Sequence, residues 1–469
     1  MSDEYPAPNA AAETDSAAIW AFAIAAVFAV LAGFLVFGAW TKLGFPFLFG
    51  DLAIASFGRL WPMASLTLVL GAITFLHVGA LAFLLPRLTG VTPRLPLGRF
   101  GPLASGLLVG TAILSVGLGF GDGRHGFESP LVGDLAILVA LAGPAAIALR
   151  SLFSKREATI YPSLWFLIGG LLSAMLAVAV ANFPLTEATG SLVQTGFGRA
   201  TILWGWAVAG GVGSAFFLVP RVTGRALFSR PLAIATFISL LLPGMFYGLS
   251  THLFGPVPEW AEAIGIGMRF SLLVPALLIP VGLLASGEGA LDLLRTSPVL
   301  RLVAAGTSLV SIAGVVTAVS GFRSTQSVIG LTTFDLGTET LLLAGSLLLG
   351  TAMALHAFPR LVGRSLPEGD GPDWHLRLTV VGAVAGAGFL WLAGVTSGVT
   401  WRAGATSGAF ANHGEGFAQT LDAVSWMYQM LPLAGLVFLA GQVLFARTLW
   451  STWTTGRVEA VESVTEVAR

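Results

Sequence analysis

Leu85-Pro86-Arg87-Leu88-Thr89-Gly90, Val219-Pro220-Arg221-Val222-Thr223-Gly224-Arg225 and Phe358-Pro359-Arg360-Leu361-Val362-Gly363-Arg364 read alike. Their prolines are 134 and 139 residues apart. Each run follows a long apolar stretch, so each has the chemistry of a chain leaving a hydrocarbon layer. Proline is expected to break the helix there, arginine to anchor it at the headgroups, and glycine to let the chain turn. A fixed spacing marks repeated structural units.

Working outward, apolar runs of about 20 residues recur along the chain, the length needed to cross ~30 Å of hydrocarbon. Hydrophobic residues make up 55% of the 469 positions and charged residues 10%, too little charge for a soluble surface. Backbone amides in lipid need internal partners, so the fold class is all-α, a polytopic helical bundle. The reading places about twelve spans, near 18–41, 61–86, 101–121, 131–152, 162–182, 200–220, 231–251, 268–286, 299–319, 337–358, 378–400 and 422–447. The three motifs close spans 2, 6 and 10. The spans then form three pseudo-equivalent arcs of four, at about 18–152, 162–286 and 299–447, within a single membrane domain, 18–450. Residues 1–17, acidic and Ala/Pro-rich, read as a disordered tail, and 451–469 as a second tail.

Lysine and arginine set the orientation. Of the 24, 17 fall in loops after even-numbered spans or in the C-terminal tail. This places both termini in the cytoplasm and the protein in the cell membrane, with the lipid bilayer as its first partner. Zero net charge points to no nucleic acid. The lack of cysteine removes disulfides and thiolate metal sites.

Twelve spans in three arcs, closed at spans 2, 6 and 10 by this turn, resemble subunit I of the heme–copper oxidase superfamily. Within it the chain looks most like the C-type cytochrome c oxidases and nitric oxide reductases. Phe57-Gly58-Arg59-Leu60-Trp61-Pro62-Met63 resembles the family's entry to helix 2, Val257-Pro258-Glu259-Trp260 the loop after helix 7, and Trp401-Arg402-Ala403 the run after helix 11. The similarity is colinear from about residue 20 to 450. It implies heme and copper as cofactors, and other respiratory-complex subunits or a cytochrome c-type protein as partners.

The family's ligands are histidines, suited to iron and copper as neutral nitrogen donors. Counted from the prolines and from Trp260, the ligand positions here fall on Ala64, Ala200 beside Arg199, Ser250-Thr251, and the ends of Gly337-Thr338-Glu339. None is histidine, so no heme or copper is expected. A one-residue slip recovers only His252, five residues after Tyr247. The remaining candidate polar residues are His77, His356, Asp335, Glu339 and Arg402. His77, nine residues before Pro86, lies roughly 13 Å from that end, near mid-membrane, where an ionisable group is a candidate functional site. His356 lies three residues before Pro359. The three histidines His77, His252 and His356 do not share a depth, and each also reads as structural. Asp335 and Glu339 share a helix face; they bind a cation, accept a partner's arginine, or are a solvated helix start. Arg402, His413, Glu415 and Asp422 fall in a long outer loop, either capping an emptied cofactor cavity or simply wet.

Three functions fit. The first is a heme-free, non-catalytic paralogue of the oxidase subunit, with a structural, assembly or interaction role in a respiratory or denitrification chain. The second is an active terminal oxidase or nitric oxide reductase with atypical heme ligation, which the resemblance implies. The third is a small-solute transporter using the vacated cavity; a threefold repeat does not favour it.

Overall fold

A computed structural model describes residues 8–50, 52–95, 97–183, 188–290, 292–407 and 415–458. Twelve helices in it are long and apolar enough to cross a membrane. They are α1 (Ala12–Gly44), α2 (Phe57–Thr89), α3 (Gly98–Gly117), α4 (Leu131–Phe153), α5 (Pro162–Ala181), α6 (Thr189–Thr223), α7 (Arg230–Ser250), α8 (Glu259–Ser286), α9 (Pro298–Val319), α10 (Phe334–Val362), α11 (Gly371–Gly404) and α12 (Ala418–Thr455). Among the described residues there is no strand, only an isolated bridge between Arg364 and Val458.

The three helices that end in the repeated motif form the core. The most apolar stretches of α2, α6 and α10 are 89%, 100% and 100% buried, against 33–61% for the other nine. Equivalent positions of the repeat meet on a common axis. Phe83, Phe217 and His356 each lie three residues before their proline. The His356 ring meets Phe83 edge-on at 6.4 Å and Phe217 at 5.9 Å. Higher up, small residues permit close approach of the backbones: Gly350 packs on Leu76, and Gly211 on Leu349. The outer helices wrap this axis, and the ring closes where α1 runs along α12, with Trp20 edge-on to Trp453 at 6.0 Å.

The motif ends its helix differently from the sequence reading. Pro86, Pro220 and Pro359 lie inside their helices, and the break comes four residues later at Gly90, Gly224 and Gly363, with φ of 68°, 66° and 64°. In each case the glycine N–H donates to the proline carbonyl. Proline removes only its own donor, which a helix near its end tolerates. The left-handed residue is what stops the chain, and glycine adopts it without a Cβ penalty.

Two segments of the axis are π-helical, Thr67–Ile73 and Thr201–Val208. Both start 19 residues before the closing proline, so they too are copies of one feature. The third copy, at Thr340, is continuous α-helix. The π segments touch through Trp206, whose indole N–H donates to Thr74 at 2.8 Å; Thr74 in turn donates to the Val69 carbonyl.

The tails are shorter than expected. Helix begins at Pro8, because an alanine-rich stretch propagates helix well and Asp15 is held by Arg87 at 3.1 Å. At the other end α12 continues to Thr455, and Ser365 takes a backbone bond to the Arg457 carbonyl.

Candidate functional site

The end of the axis opposite the glycine turns carries the positions that the sequence resemblance marks for ligands. On α10, Glu339 is buried and pairs with Arg199 of α6, which donates to its carboxylate. The side chains are 8% and 19% exposed. The two residues sit 20 and 21 positions before their own closing prolines, so the repeat brings them to one level. A second pair runs beside it: Arg269 of α8 donates to Asp335 at 2.9 Å and to the Thr317 carbonyl at 3.1 Å. Asp335 and Glu339 thus serve two different arginines of the same chain. Glu339 is buried against Arg199, whereas Asp335, in the first turn of α10 with its side chain 45% exposed, stays partly solvated while it pairs with Arg269.

Each of the other positions so marked is packed. Ala64 faces Glu339 and Trp40 across a cavity of about 30 Å³. Arg199, Glu339, Ser65 and Leu66 line another of about 10 Å³. Ala200 is buried against the turn that ends α7, where Gly248 lies on the Gly196 carbonyl. Ser250 and Thr251 donate back to Tyr247 and Gly248 carbonyls, at 2.7 Å each. Gly337 packs on Trp391, whose indole donates to Thr338 at 3.0 Å.

These residues do not fit a heme or an imidazole-bound copper. The donors are two alcohols already bonded to their own turn and one carboxylate already paired with a guanidinium. Such hard oxygens are a poor set for copper or heme iron. Cavities of about 10 and 30 Å³ hold a water or two, whereas sites for drug-sized ligands run to ~300 Å³ or more. Among the described residues no group of three or more His, Cys, Asp or Glu side chains is placed to hold a metal ion.

The other sequence candidates lie apart. His77 is fully buried on α2, edge-on to Trp206 at 4.9 Å, and neither ring nitrogen has a hydrogen-bond partner. The closeness of α6 explains this: Gly210 lies flush against the imidazole, where even a Cβ would overlap it. His356 sits at the other end of the axis. His252 lies in the outer turn after α7. Arg402 is exposed and donates to Ser327 at 3.3 Å, on the short helix Arg323–Ile329. The long outer loop is itself shorter than expected, because α11 runs on to Gly404 and α12 starts at Ala418. His413 lies outside the described residues, as does the side chain of Glu415.

Arg199 also governs groups the sequence did not single out. His125 and His252 come from separate loops to the same neighbourhood. The Arg199 charge, then burial, then His252 lower the His125 pKa to about 3. Burial, then Arg199, lower that of His252. Glu128 is pushed up by burial, partly offset by the Gly126 N–H that it accepts at 2.8 Å. No sequence signal linked Arg199 to Glu339, 140 residues away.

A family model described as "Cytochrome C and Quinol oxidase polypeptide I" matches residues 16–451. The chain is 28% identical to cytochrome c oxidase subunit 1 of Rhodobacter capsulatus, over 96% of this chain and 87% of that one. It is 23% identical to the Cbb3-type cytochrome c oxidase subunit CcoN1 of Stutzerimonas stutzeri, over 91% and 92%. Its fold is similar to that of a heme-copper terminal oxidase dimer solved by cryo-EM, with a TM-score of 0.75, 14% identity, and coverage of 97% of this chain and 86% of that one.

Proposed function

The chain belongs to the cytochrome c and quinol oxidase polypeptide I family, and on that premise we propose that it is a heme-free, non-catalytic member that keeps the twelve-helix scaffold for a structural, assembly or interaction role in a respiratory or denitrification complex. The observation that carries the reading is the Arg199–Glu339 pair. Where the family holds metal ligands, this chain spans α6 and α10 with a buried salt bridge. A guanidinium so placed repels a metal cation and satisfies the Glu339 carboxylate. Around it, Ala64, Ala200, Gly337, Ser250 and Thr251 are packed or bonded within the protein.

The same reading gives the membrane partners. A scaffold that retains the family's fold retains surfaces for other respiratory subunits. The bias of 17 of 24 cationic residues to one face puts both termini in the cytoplasm.

The test is a reduced-minus-oxidised spectrum of the purified protein, made in cells with an ample heme supply. A flat spectrum is expected, unchanged in His77→Ala. A b-type Soret and α band in the wild type would refute the proposal and favour an active oxidase or nitric oxide reductase with atypical ligation.

A further inference from the structure

A cavity far from Glu339 and Arg199 stands out among the described residues. It holds about 300 Å³ in the first arc, between α2, α3 and α4, and is almost wholly apolar. Its floor is Phe75, Val78 and Ala82 of α2; Val139 and Gly143 of α4 form one lip, and Leu97, in the connection between α2 and α3, another. Val139 and Leu97 are 64% and 62% exposed, so the cavity opens sideways on the face that meets lipid. From Thr74 to Leu85 it runs along about 16 Å of helix, at 1.5 Å per residue, from mid-membrane to the closing end of α2.

That end is cationic. Arg94 lies between the lining residues Pro93 and Leu95, and Arg99 follows Gly98. Arg150 stands one turn beyond Ile147 on α4. All three are exposed, and none has an ion pair among the described residues. The acids at this end are Asp15, held by Arg87, and two exposed carboxylates, Glu13 and Glu157, the latter in the same loop as the cations Lys155 and Arg156, so positive charge stays in excess. An apolar channel running into a bilayer, with three guanidiniums at its headgroup end, matches one molecule: a phospholipid with an anionic head.

We propose that this groove is a binding site for one anionic glycerophospholipid from the leaflet on the arginine-rich side, its acyl chain in the cavity and its phosphate among Arg94, Arg99 and Arg150. Each arginine near an anionic headgroup is worth about fivefold in affinity.

Two variants separate the parts. Gly143→Leu fills the groove; a Cβ at Gly143 meets nothing within 4 Å, and leucine favours helix, so the fold survives. Arg94→Gln with Arg99→Gln removes two of the charges. The delipidated full chain in neutral detergent is titrated with phosphatidylglycerol or phosphatidylcholine, following bound lipid per chain and thermal unfolding. Wild type is expected to retain about one phosphatidylglycerol per chain in preference to phosphatidylcholine. The double arginine variant should lose that preference, by about 25-fold on the value per arginine. Gly143→Leu should lose both lipids while unfolding at an unchanged or higher temperature without lipid. Equal binding of the two lipids by wild type, or full phosphatidylglycerol binding by Gly143→Leu, would overturn the proposal. So would a concentration-dependent dimer that Gly143→Leu abolishes, which would assign the groove to a second copy of the chain.

Discussion

Replacing Glu339 by glutamine isolates the Arg199 guanidinium in a packed site. Breaking a buried ion pair by removing one partner costs about 3–5 kcal/mol, because the remaining charge is desolvated without compensation. Arg199 keeps 19% of its side chain exposed, and the site lies near the bundle end, so the lower figure of about 3 kcal/mol applies. Arg199→Met should cost a similar amount. The double change, Arg199→Met with Glu339→Leu, removes both charges and should return close to the wild type, since apolar replacement of a whole buried pair is often neutral or better. The assay is a double-mutant cycle by denaturant titration in mixed micelles, which reads the coupling directly. A coupling above about 2 kcal/mol is expected. Single variants costing under about 1 kcal/mol, with coupling near zero, would refute the view that this pair replaces the ligands as the tie between α6 and α10.

Four further outcomes follow from the same structure. His77 buries two unpaired nitrogens, a cost of about 1–3 kcal/mol, so His77→Leu should raise the unfolding midpoint; a lower midpoint would mean that the imidazole has a polar partner. In the same contact Gly210→Ala should destabilise by about 1–3 kcal/mol through overpacking and be rescued by His77→Ala. Gly224→Ala forces a Cβ into φ 66° and should cost about 1–2 kcal/mol by thermal unfolding. The His125 pKa is lowered to about 3 from an ordinary 6.5, so the folded state binds fewer protons between those values. Its contribution is complete above pH 6.5 and is lost as pH falls through 6.5 toward 3. The wild type should therefore lose more stability between pH 7.5 and 5 than His125→Gln, and parallel losses would contradict the assignment.

The scaffold was legible because its signals are local and repeated. Apolar runs bounded the twelve helices, and three Pro-Arg-x-x-Gly runs marked the central ones. The mechanism of the turn was not legible: only the backbone shows that Gly90, Gly224 and Gly363, rather than the prolines, stop the chain. Counting back from the prolines and Trp260 located the region of Ala64, Ala200 and Glu339, because rise per residue is constant in a helix. It could not pair Glu339 with Arg199, or Asp335 with Arg269. Those choices depend on how α6 and α8 rotate against α10. The π segments at Thr67 and Thr201 escaped for a similar reason, since an extra residue in a turn leaves no mark on an apolar sequence. The partners of Arg402 and of the acids of α10 were not legible because they are neighbours distant in the chain.

On the proposed reading, the ligand positions of this oxidase-family chain are filled by packing and by one buried ion pair. The most direct test of that reading is the heme and copper content per chain of the purified protein, by pyridine hemochrome and metal analysis, after expression with both in excess. Values far below one of either per chain are expected. Stoichiometric heme or copper that survives purification would contradict it.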